Sequence, residues 1–156
     1  MIKKSSNSIQ NNYLPFLSQK DFDFVQKAVP MICVDVIVKD NNKILLGKRK
    51  TYPFKGLWHI PGGLIYYNES IQDAINRISK RETGLEVEIV KQISLHEYIN
   101  EDPRGHFIGL NYIVKKTGGE IKINKYNSEL KYFDYIPNDI NPCQIDIVRH
   151  ILYGEF

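Results

Sequence analysis

The segment from Gly63 to Leu85 constrains this chain more than any other; it reads GLIYYNESIQDAINRISKRETGL. Ser70 and Asp73 form a capping-box pattern that marks the start of a helix. Gly84 is suited to the left-handed residue that ends one. The apolar residues between them recur at helical spacing and predict a buried stripe of Ile71, Ala74, Ile75 and Ile78. The segment therefore predicts an amphipathic helix entered through a glycine turn.

Three charged residues on this segment lie at fixed offsets. Glu69 and Arg77 are separated by roughly two helical turns, so their side chains can meet along one face and brace the glycine turn. We interpret that pair as structural. Glu82 lies in the last turn, where a carboxylate opposes the helix dipole and needs a compensating partner. That partner is either a bound cation or a neighbouring basic side chain, Lys80 or Arg81.

Length and composition indicate one domain. The chain has 156 residues, of which 42% are hydrophobic, and we expect a flexible arm at residues 1–17 followed by a single domain at 18–156. A net charge of +3 mildly favours an anionic ligand and is too small for a nucleic-acid binder. Cys33 and Cys143 lack disulfide or metal spacing, and no apolar run approaches 18 residues. We expect a soluble cytoplasmic protein with no membrane partner.

The order of predicted elements favours an α/β/α sandwich around a mixed β-sheet. A helix opens near Ser18 and ends at Pro30, and a last helix starts at Asn141 and Pro142. Between them, residues 48–63 have the composition of a functional loop. The predicted strands are Met31 to Val38, Ile44 to Gly47, Glu86 to Tyr98, His106 to Lys116 and Leu130 to Ile136.

The glycine turn and helix resemble the Nudix box, G-x5-E-x7-R-E-U-x-E-E-x-G-U, where U is a bulky apolar residue. The chain supplies six of its positions: Gly63, Glu69, Arg77, Glu82, Gly84 and Leu85. It departs at three, with Ile78 and Arg81 in place of glutamates and Ser79 in place of the apolar residue. The helix thus keeps one carboxylate where the usual box has three.

Within the Nudix hydrolases the chain is most similar to the GDP-mannose mannosyl hydrolases, whose box is degenerate in the same way. The flanking segments that carry this likeness are Asp21 to Val25, Val34 to Val38, Leu45 to Arg49, Gly56 to Trp58 and Pro61 to Gly63. The match covers roughly residues 21–84 and thins afterwards.

The resemblance implies a role for each matching residue. The Gly62 carbonyl and the Glu82 carboxylate would hold one Mg²⁺, or Mn²⁺, against a diphosphate, and Arg49 would stabilise the departing diphosphate. Asp35 would lie in the substrate pocket and Tyr112 near the phosphates. The structural positions of the motif would be Gly63, Glu69, Arg77 and Gly84. A homodimer is also expected from the resemblance.

Plainer interpretations remain open for three of these residues. Asp35 could be satisfied by a backbone turn, and Arg49 could be a surface charge. Trp58 could stack on a base or sugar of the substrate, or it could pack in the core.

The chain also departs from this subfamily. Asn127 stands where the general-base histidine is expected, Tyr126 where a glutamine ligand is expected, and Leu64 where an arginine is expected. Asparagine and tyrosine are not competent bases near neutral pH. Possible replacement bases are His59, His96, His106, Glu97, Glu101, Asp102 and Glu129.

Three hypotheses follow. The first is a Mg²⁺-dependent hydrolase of a GDP-mannose-like nucleotide sugar that attacks the sugar's anomeric carbon. In such a reaction the metal chiefly neutralises the leaving diphosphate, and few carboxylates are needed. The second is a pyrophosphohydrolase of ADP-ribose or nucleoside triphosphates that attacks phosphorus. The third is a non-catalytic domain that binds a nucleotide sugar.

Overall fold

The computed structural model describes residues 17–154, so the predicted arm lies outside the described residues except for Leu17. The helices are α1 (Gln19–Ala28), α2 (Ile71–Thr83) and α3 (Ile145–Tyr153), with a short 3₁₀ turn at Pro142–Gln144 before α3. The strands are β1 (Met31–Asp40), β2 (Lys43–Arg49), β3 (Trp58–His59), β4 (Gly62–Leu64), β5 (Leu85–Tyr98), β6 (Phe107–Gly119) and β7 (Asn127–Phe133).

Strand β1 lies at the centre of a mixed sheet with the order β3-β2-β1-β6-β5. It runs parallel to β6, from Met31 opposite Phe107 to Val38 opposite Val114. It also pairs antiparallel with the short strand β4, while β7 pairs antiparallel with β2. Since β4 leads directly to the loop before α2, this pairing fixes the glycine turn against the middle of the sheet.

Alternate residues of β1 point to opposite faces of the sheet and pack against different helices. Val34, Val36 and Val38 are fully buried with the apolar stripe of α2. Ile37, on the other face, is buried with Val148 and other residues of α3. Helices therefore cover both faces, which confirms the predicted α/β/α sandwich around a mixed sheet.

The ends of α2 follow the capping prediction. The Ser70 hydroxyl accepts a hydrogen bond from the Asp73 N–H, and Gly84 ends the helix with φ of 83°. The first helix begins in the same way, because the Ser18 side chain accepts from the Asp21 N–H. In both cases a side-chain oxygen satisfies a backbone donor that the helix itself leaves unpaired.

Several predicted boundaries were wrong by a few residues. The last strand, β7, ends at Phe133 rather than Ile136, and it begins three residues early, at Asn127. The predicted loop at residues 48–63 contains β3 and part of β4, which are short strands without an alternating pattern. Within residues 17–154, no helix is long and apolar enough to cross a membrane.

Candidate active site

One cavity of about 380 Å³ opens beside the glycine turn. Residues from α1, from the first half of β1, from the end of β2, from the segment after β5 and from the 3₁₀ turn all reach it. Its polar wall contains Asp35, Arg49, His59, Gly62, Arg81, Glu82 and Arg104. Its apolar wall includes Phe22, Leu64, Tyr98 and Phe107, which belong to one buried cluster. The cavity therefore offers charge at one side and aromatic surface at another.

Glu69 and Arg77 brace the turn between β4 and α2. The Arg77 Nε donates to Glu69 Oε1 at 2.6 Å, and one terminal nitrogen donates to Oε2 at 2.7 Å. The same nitrogen donates to the Leu64 carbonyl at 2.8 Å. Glu69 in turn accepts from the Tyr66 N–H at 2.9 Å. The pair thus connects the helix to the backbone on both sides of residue 65, and the Arg77 fork lowers the pKa of Glu69.

Gly62 lies directly opposite Asp35 in the β1–β4 ladder. The neighbouring pairs carry the ladder hydrogen bonds, since Val36 N–H donates to Pro61 and Ile65 N–H donates to Ile32. At such a position the N–H and the carbonyl of Gly62 both point away from β1. A Cβ at Gly62 would lie 2.5 Å from Asp35 Oδ1, so glycine leaves room for that carboxylate.

Glu82 projects from the end of α2 into the cavity and is 4% exposed. Its Oε1 accepts from an Arg81 terminal nitrogen at 2.6 Å, and its Oε2 accepts from the Gly62 N–H at 3.4 Å. Burial raises the pKa of Glu82, while the Arg81 guanidinium opposes that rise. The Gly62 carbonyl lies on the same side as its N–H, so it and the Glu82 carboxylate face a common space.

This donor set fits one hard divalent cation only if most of the coordination comes from elsewhere. Each Glu82 oxygen has a further acceptor position, and a backbone carbonyl is a suitable second ligand. Among residues 17–154, no group of three or more His, Cys, Asp or Glu side chains is arranged to hold a metal ion. Phosphate oxygens and water would have to complete the octahedron that Mg²⁺ requires.

Asn127 has no exposed surface and links the backbone of Glu82 to the side chain of His59 through hydrogen bonds. Its Nδ2 donates to the Glu82 backbone carbonyl at 3.2 Å, so its Oδ1 is the atom that lies 2.9 Å from His59 Nε2. Because an amide oxygen only accepts, His59 Nε2 carries a proton. Burial, followed by the nearby Arg49 charge, lowers the pKa of His59 to about 3. His59 is therefore a poor proton acceptor near neutral pH.

Asp35 is the second buried carboxylate of the cavity and is 6% exposed. The Tyr98 hydroxyl donates to its Oδ2 at 3.2 Å. Burial raises the pKa of Asp35 to about 7; the Tyr98 hydrogen bond opposes the shift and the Glu82 charge adds to it. Two buried carboxylates with raised pKa values favour a site that receives positive charge when a ligand binds.

Two further arginines reach the cavity from separate elements. Arg49 ends β2 and donates from Nε to the Pro53 carbonyl at 2.9 Å, and its charge, like that of Arg81, opposes the rise in the pKa of Glu82. Arg104 lies in the β5–β6 loop and forms a fork with Asp102, at 2.9 Å from Nε to Oδ1 and 2.6 Å to Oδ2. With Arg81 these residues place three guanidinium groups around one cavity, a charge pattern suited to a phosphorylated ligand.

The structure does not bring two of the predicted substrate-binding residues to the cavity. Trp58 is buried against Phe133, with ring centroids 4.8 Å apart, because β3 turns its side chain into the α3-side core. Tyr112 is buried in the α2-side core, and its hydroxyl donates to Gln92 at 3.2 Å. For Trp58 the core-packing alternative describes what is observed.

Most of the candidate replacement bases lie outside the cavity. His59 and Asp102 line the cavity, with the partners described above. His96 pairs with Glu101 at 3.1 Å, and Glu129 lies 3.7 Å from Lys48 on β7. The replacement bases that do not line the cavity are His96, His106, Glu97, Glu101 and Glu129.

Sequence reasoning missed the contributions of Tyr98, Arg104 and helix α1. The pairing of Tyr98 with Asp35 joins residues 63 positions apart and left no local signal. Arg104 did leave one, because a charged Asp-Pro-Arg-Gly turn between two strands is a typical place for a binding residue. The sequence shows Arg81 as a departure from the motif and carries no local sign that this residue lines the cavity.

The NUDIX domain family model matches residues 29–140 of this chain. The chain therefore belongs to the NUDIX family. That range contains the glycine turn, α2 and the central strand β1, whereas α1 and the 3₁₀ turn lie outside it.

Two curated relatives show the range of proteins that this chain is similar to. It is 39% identical over 105 residues to an ADP-ribose pyrophosphatase of Methanocaldococcus jannaschii, across 67% of this chain and 62% of the relative. It is 28% identical over 120 residues to the low-salt glycan biosynthesis protein Agl8 of Haloferax volcanii, across 73% of this chain and 77% of the relative. The chain thus spans less than two thirds of the length of the M. jannaschii protein.

Solved structures show the same fold. A NUDIX hydrolase from Nitrosomonas europaea superposes with a TM-score of 0.68 at 25% identity, covering 78% of this chain and 70% of its own. An ADP-ribose pyrophosphatase from Streptococcus suis superposes with a TM-score of 0.67 at 22% identity, covering 81% of this chain and 92% of its own. The latter comparison supports the fold alone.

Proposed function

We propose that this chain is a divalent-metal-assisted hydrolase of a nucleoside diphosphate linked to a sugar. The observation that carries the proposal is the convergence of the Glu82 carboxylate, the Gly62 carbonyl and three arginines on one cavity with an aromatic wall. A volume of about 380 Å³ lies within the range of small-molecule sites. ADP-ribose and GDP-mannose both belong to this substrate class.

The charged side of the cavity would receive the diphosphate. Glu82 and Gly62 would hold the Mg²⁺ or Mn²⁺ ion, whose charge would offset that of the phosphates. Arg49 would bind a phosphate oxygen and stabilise the charge that develops on the leaving group. Asp35, held by Tyr98, would accept a hydrogen bond from a substrate hydroxyl, and Phe22 and Phe107 would contact an apolar or ring portion of the substrate.

Two bonds are candidates for cleavage, and a different observation favours each. Attack at the anomeric carbon, as in the GDP-mannose mannosyl hydrolases, is supported by the single box carboxylate in the cavity. Attack at phosphorus is supported by 39% identity to a protein described as an ADP-ribose pyrophosphatase. The small carboxylate set makes carbon attack our first candidate.

Hydrolysis of ADP-ribose and GDP-mannose in ¹⁸O-labelled water with Mg²⁺ tests both parts. With GDP-mannose, whose sugar is attached through its anomeric carbon, carbon attack yields GDP and labelled mannose, whereas phosphorus attack yields GMP and mannose 1-phosphate with label in a phosphate. ADP-ribose is attached through the C5 oxygen of its ribose and can be cleaved at the diphosphate only by phosphorus attack, which yields AMP and ribose 5-phosphate. Label in phosphate would contradict our first candidate and support the second. Binding of either compound without turnover would contradict the hydrolase proposal and favour a non-catalytic nucleotide-binding domain.

Glu82→Gln tests the metal-binding assignment. Because it removes the one box carboxylate in the cavity, we expect Mg²⁺-dependent turnover to fall by about 100-fold or more while the protein still folds. Glu86→Gln is the matched control, since Glu86 is exposed and pairs with Lys80 at 2.9 Å. Turnover that survives Glu82→Gln at saturating Mg²⁺ would remove Glu82 from the site.

A further inference from the structure

Arg81 stands beside Glu82 at a position where the Nudix box has a glutamate. Its guanidinium is half of a short ion pair, with a terminal nitrogen 2.6 Å from Glu82 Oε1. The Arg81 side chain is 24% exposed and the Glu82 side chain 6% exposed. This is therefore a largely buried pair at the wall of the cavity.

The guanidinium has a defined place between the glycine turn and the β7 side of the cavity. Its terminal nitrogen lies 3.0 Å from the position that a Cβ would take on Gly63. Its central carbon lies 4.8 Å from the ring centroid of Tyr126. The group is thus stacked on an aromatic ring and lies over backbone that has no side chain, a position from which it can reach a ligand held at the turn.

The hydrogen bonding of Arg81 leaves capacity for such a ligand. Its Nε is buried and has no hydrogen-bond partner among residues 17–154. A buried N–H donor without an acceptor is costly, so a turn of the guanidinium towards a ligand oxygen in the cavity would relieve that cost. The pair with Glu82 is also electrically neutral, so the cavity wall does not need a cation to balance this carboxylate.

We propose that Arg81 is an anion-binding residue that contacts a phosphate oxygen of the bound ligand and holds Glu82 when the cavity is empty. The inference rests on the proposed function in naming a nucleoside diphosphate as the ligand. Two consequences follow. Nucleoside diphosphate binds without a divalent cation, because guanidinium groups supply the positive charge. A divalent cation binds weakly without nucleotide, because the Arg81 guanidinium is already paired with the Glu82 carboxylate and repels the cation.

The test measures ADP binding by calorimetry in EDTA, so that neither metal nor turnover contributes. We expect wild-type protein to bind ADP and Arg81→Gln to bind it about tenfold more weakly, the loss typical of one charge-assisted hydrogen bond. Lys80→Gln is the matched control, because it removes one positive charge from the same helix at an exposed pair. We expect its ADP affinity to stay within about twofold of wild type.

A second measurement follows Mn²⁺ binding without nucleotide by electron paramagnetic resonance. Arg81→Gln should bind Mn²⁺ several-fold more tightly than wild type, whereas a purely structural Arg81 would leave the affinity unchanged. If Arg81→Gln fails to fold, Arg81→Lys replaces it in both experiments, since it keeps the charge and loses the fork; we expect it to weaken ADP binding less than tenfold.

The outcomes separate this inference from the proposed function. Wild-type protein that does not bind ADP in EDTA would overturn the inference, as would equal ADP affinity in Arg81→Gln and Lys80→Gln. Turnover of nucleotide sugars in either case would leave the hydrolase proposal standing. Arg81-dependent ADP binding in a protein that hydrolyses none of the tested nucleotide sugars would support the inference and overturn the hydrolase proposal.

Discussion

Arg77→Lys should loosen the glycine turn at a measurable cost in stability. Arg77 makes three hydrogen bonds at 2.6, 2.7 and 2.8 Å, two to Glu69 and one to the Leu64 carbonyl. A lysine has no fork and can keep only one or two of them. A hydrogen bond to a charged group contributes about 1.5 to 3 kcal/mol when buried, and the Arg77 side chain is 25% exposed. We therefore expect the free energy of unfolding to fall by about 2 kcal/mol.

Urea denaturation at neutral pH measures this loss, with Arg149→Lys as the matched control. Arg149 bonds to Asp146 at 2.7 Å, but these side chains are 42% and 90% exposed. Such a surface pair contributes roughly 0.5 kcal/mol or less. Equal costs for the two substitutions would refute the argument that the fork braces the turn.

The pH dependence supplies an independent check. Arg77 lowers the pKa of Glu69 in the folded protein, so the stabilisation is present above the unfolded pKa of the carboxyl. It is lost as the pH falls through the lower, folded pKa. The difference in stability between wild type and Arg77→Lys should accordingly shrink in acid, and a difference that does not change with pH would contradict the assigned cause.

Three other substitutions have defined expectations. Arg49→Gln should lower kcat more than it raises KM, because the role proposed for Arg49 is to stabilise charge that develops on the leaving group; an effect on KM alone would indicate ordinary phosphate binding. Asn127→His should cost about 1 to 3 kcal/mol by overpacking the buried space against Gly47 and should not raise kcat, and faster turnover would show that residue 127 reaches the substrate. Asp35→Asn should make the free energy of unfolding, measured in EDTA, depend less on pH. The Asp35 carboxyl has a pKa of about 7 in the folded protein and 3.8 in the unfolded chain, so the wild type loses up to about 4 kcal/mol of unfolding free energy as the pH rises from 3.8 to 7. If the stabilities of wild type and Asp35→Asn change with pH in parallel, the raised pKa of Asp35 would be contradicted.

Local sequence patterns predicted the elements that position the site. The cap at Ser70 and the left-handed Gly84 depend on neighbours within a few residues, so the limits of α2 could be read directly. The central strand β1 is a continuous apolar run because helices bury both of its faces. Strands β3 and β4 were not predicted, since each has three residues or fewer and is held by pairing with another part of the chain.

The composition of the cavity depends on long-range packing and could be predicted only in part. The motif indicated Glu82, and the family resemblance indicated Gly62, Asp35 and Arg49. For Trp58 the sequence left both stacking on the substrate and packing in the core open, and the observed side chain lies in the core, on a strand held by pairing with β2. No spacing rule connects Asp35 to Tyr98, because they are brought together by the parallel pairing of β1 with β6 and the antiparallel pairing of β6 with β5.

The residues that line the cavity come partly from the range that the NUDIX family model matches and partly from outside it. Its arginines and its two buried carboxylates come from residues 29–140, which the family model matches, whereas Phe22, Asp23 and Gln26 of α1 precede that range and Gln144 follows it. Under the proposed function, selection of the ligand's nucleoside or sugar can therefore change by substitution in α1 and the 3₁₀ turn while the residues proposed to bind phosphate stay as they are. Replacing the surface of α1 that faces the cavity is the most direct way to redirect this protein to a new ligand of the same chemical class.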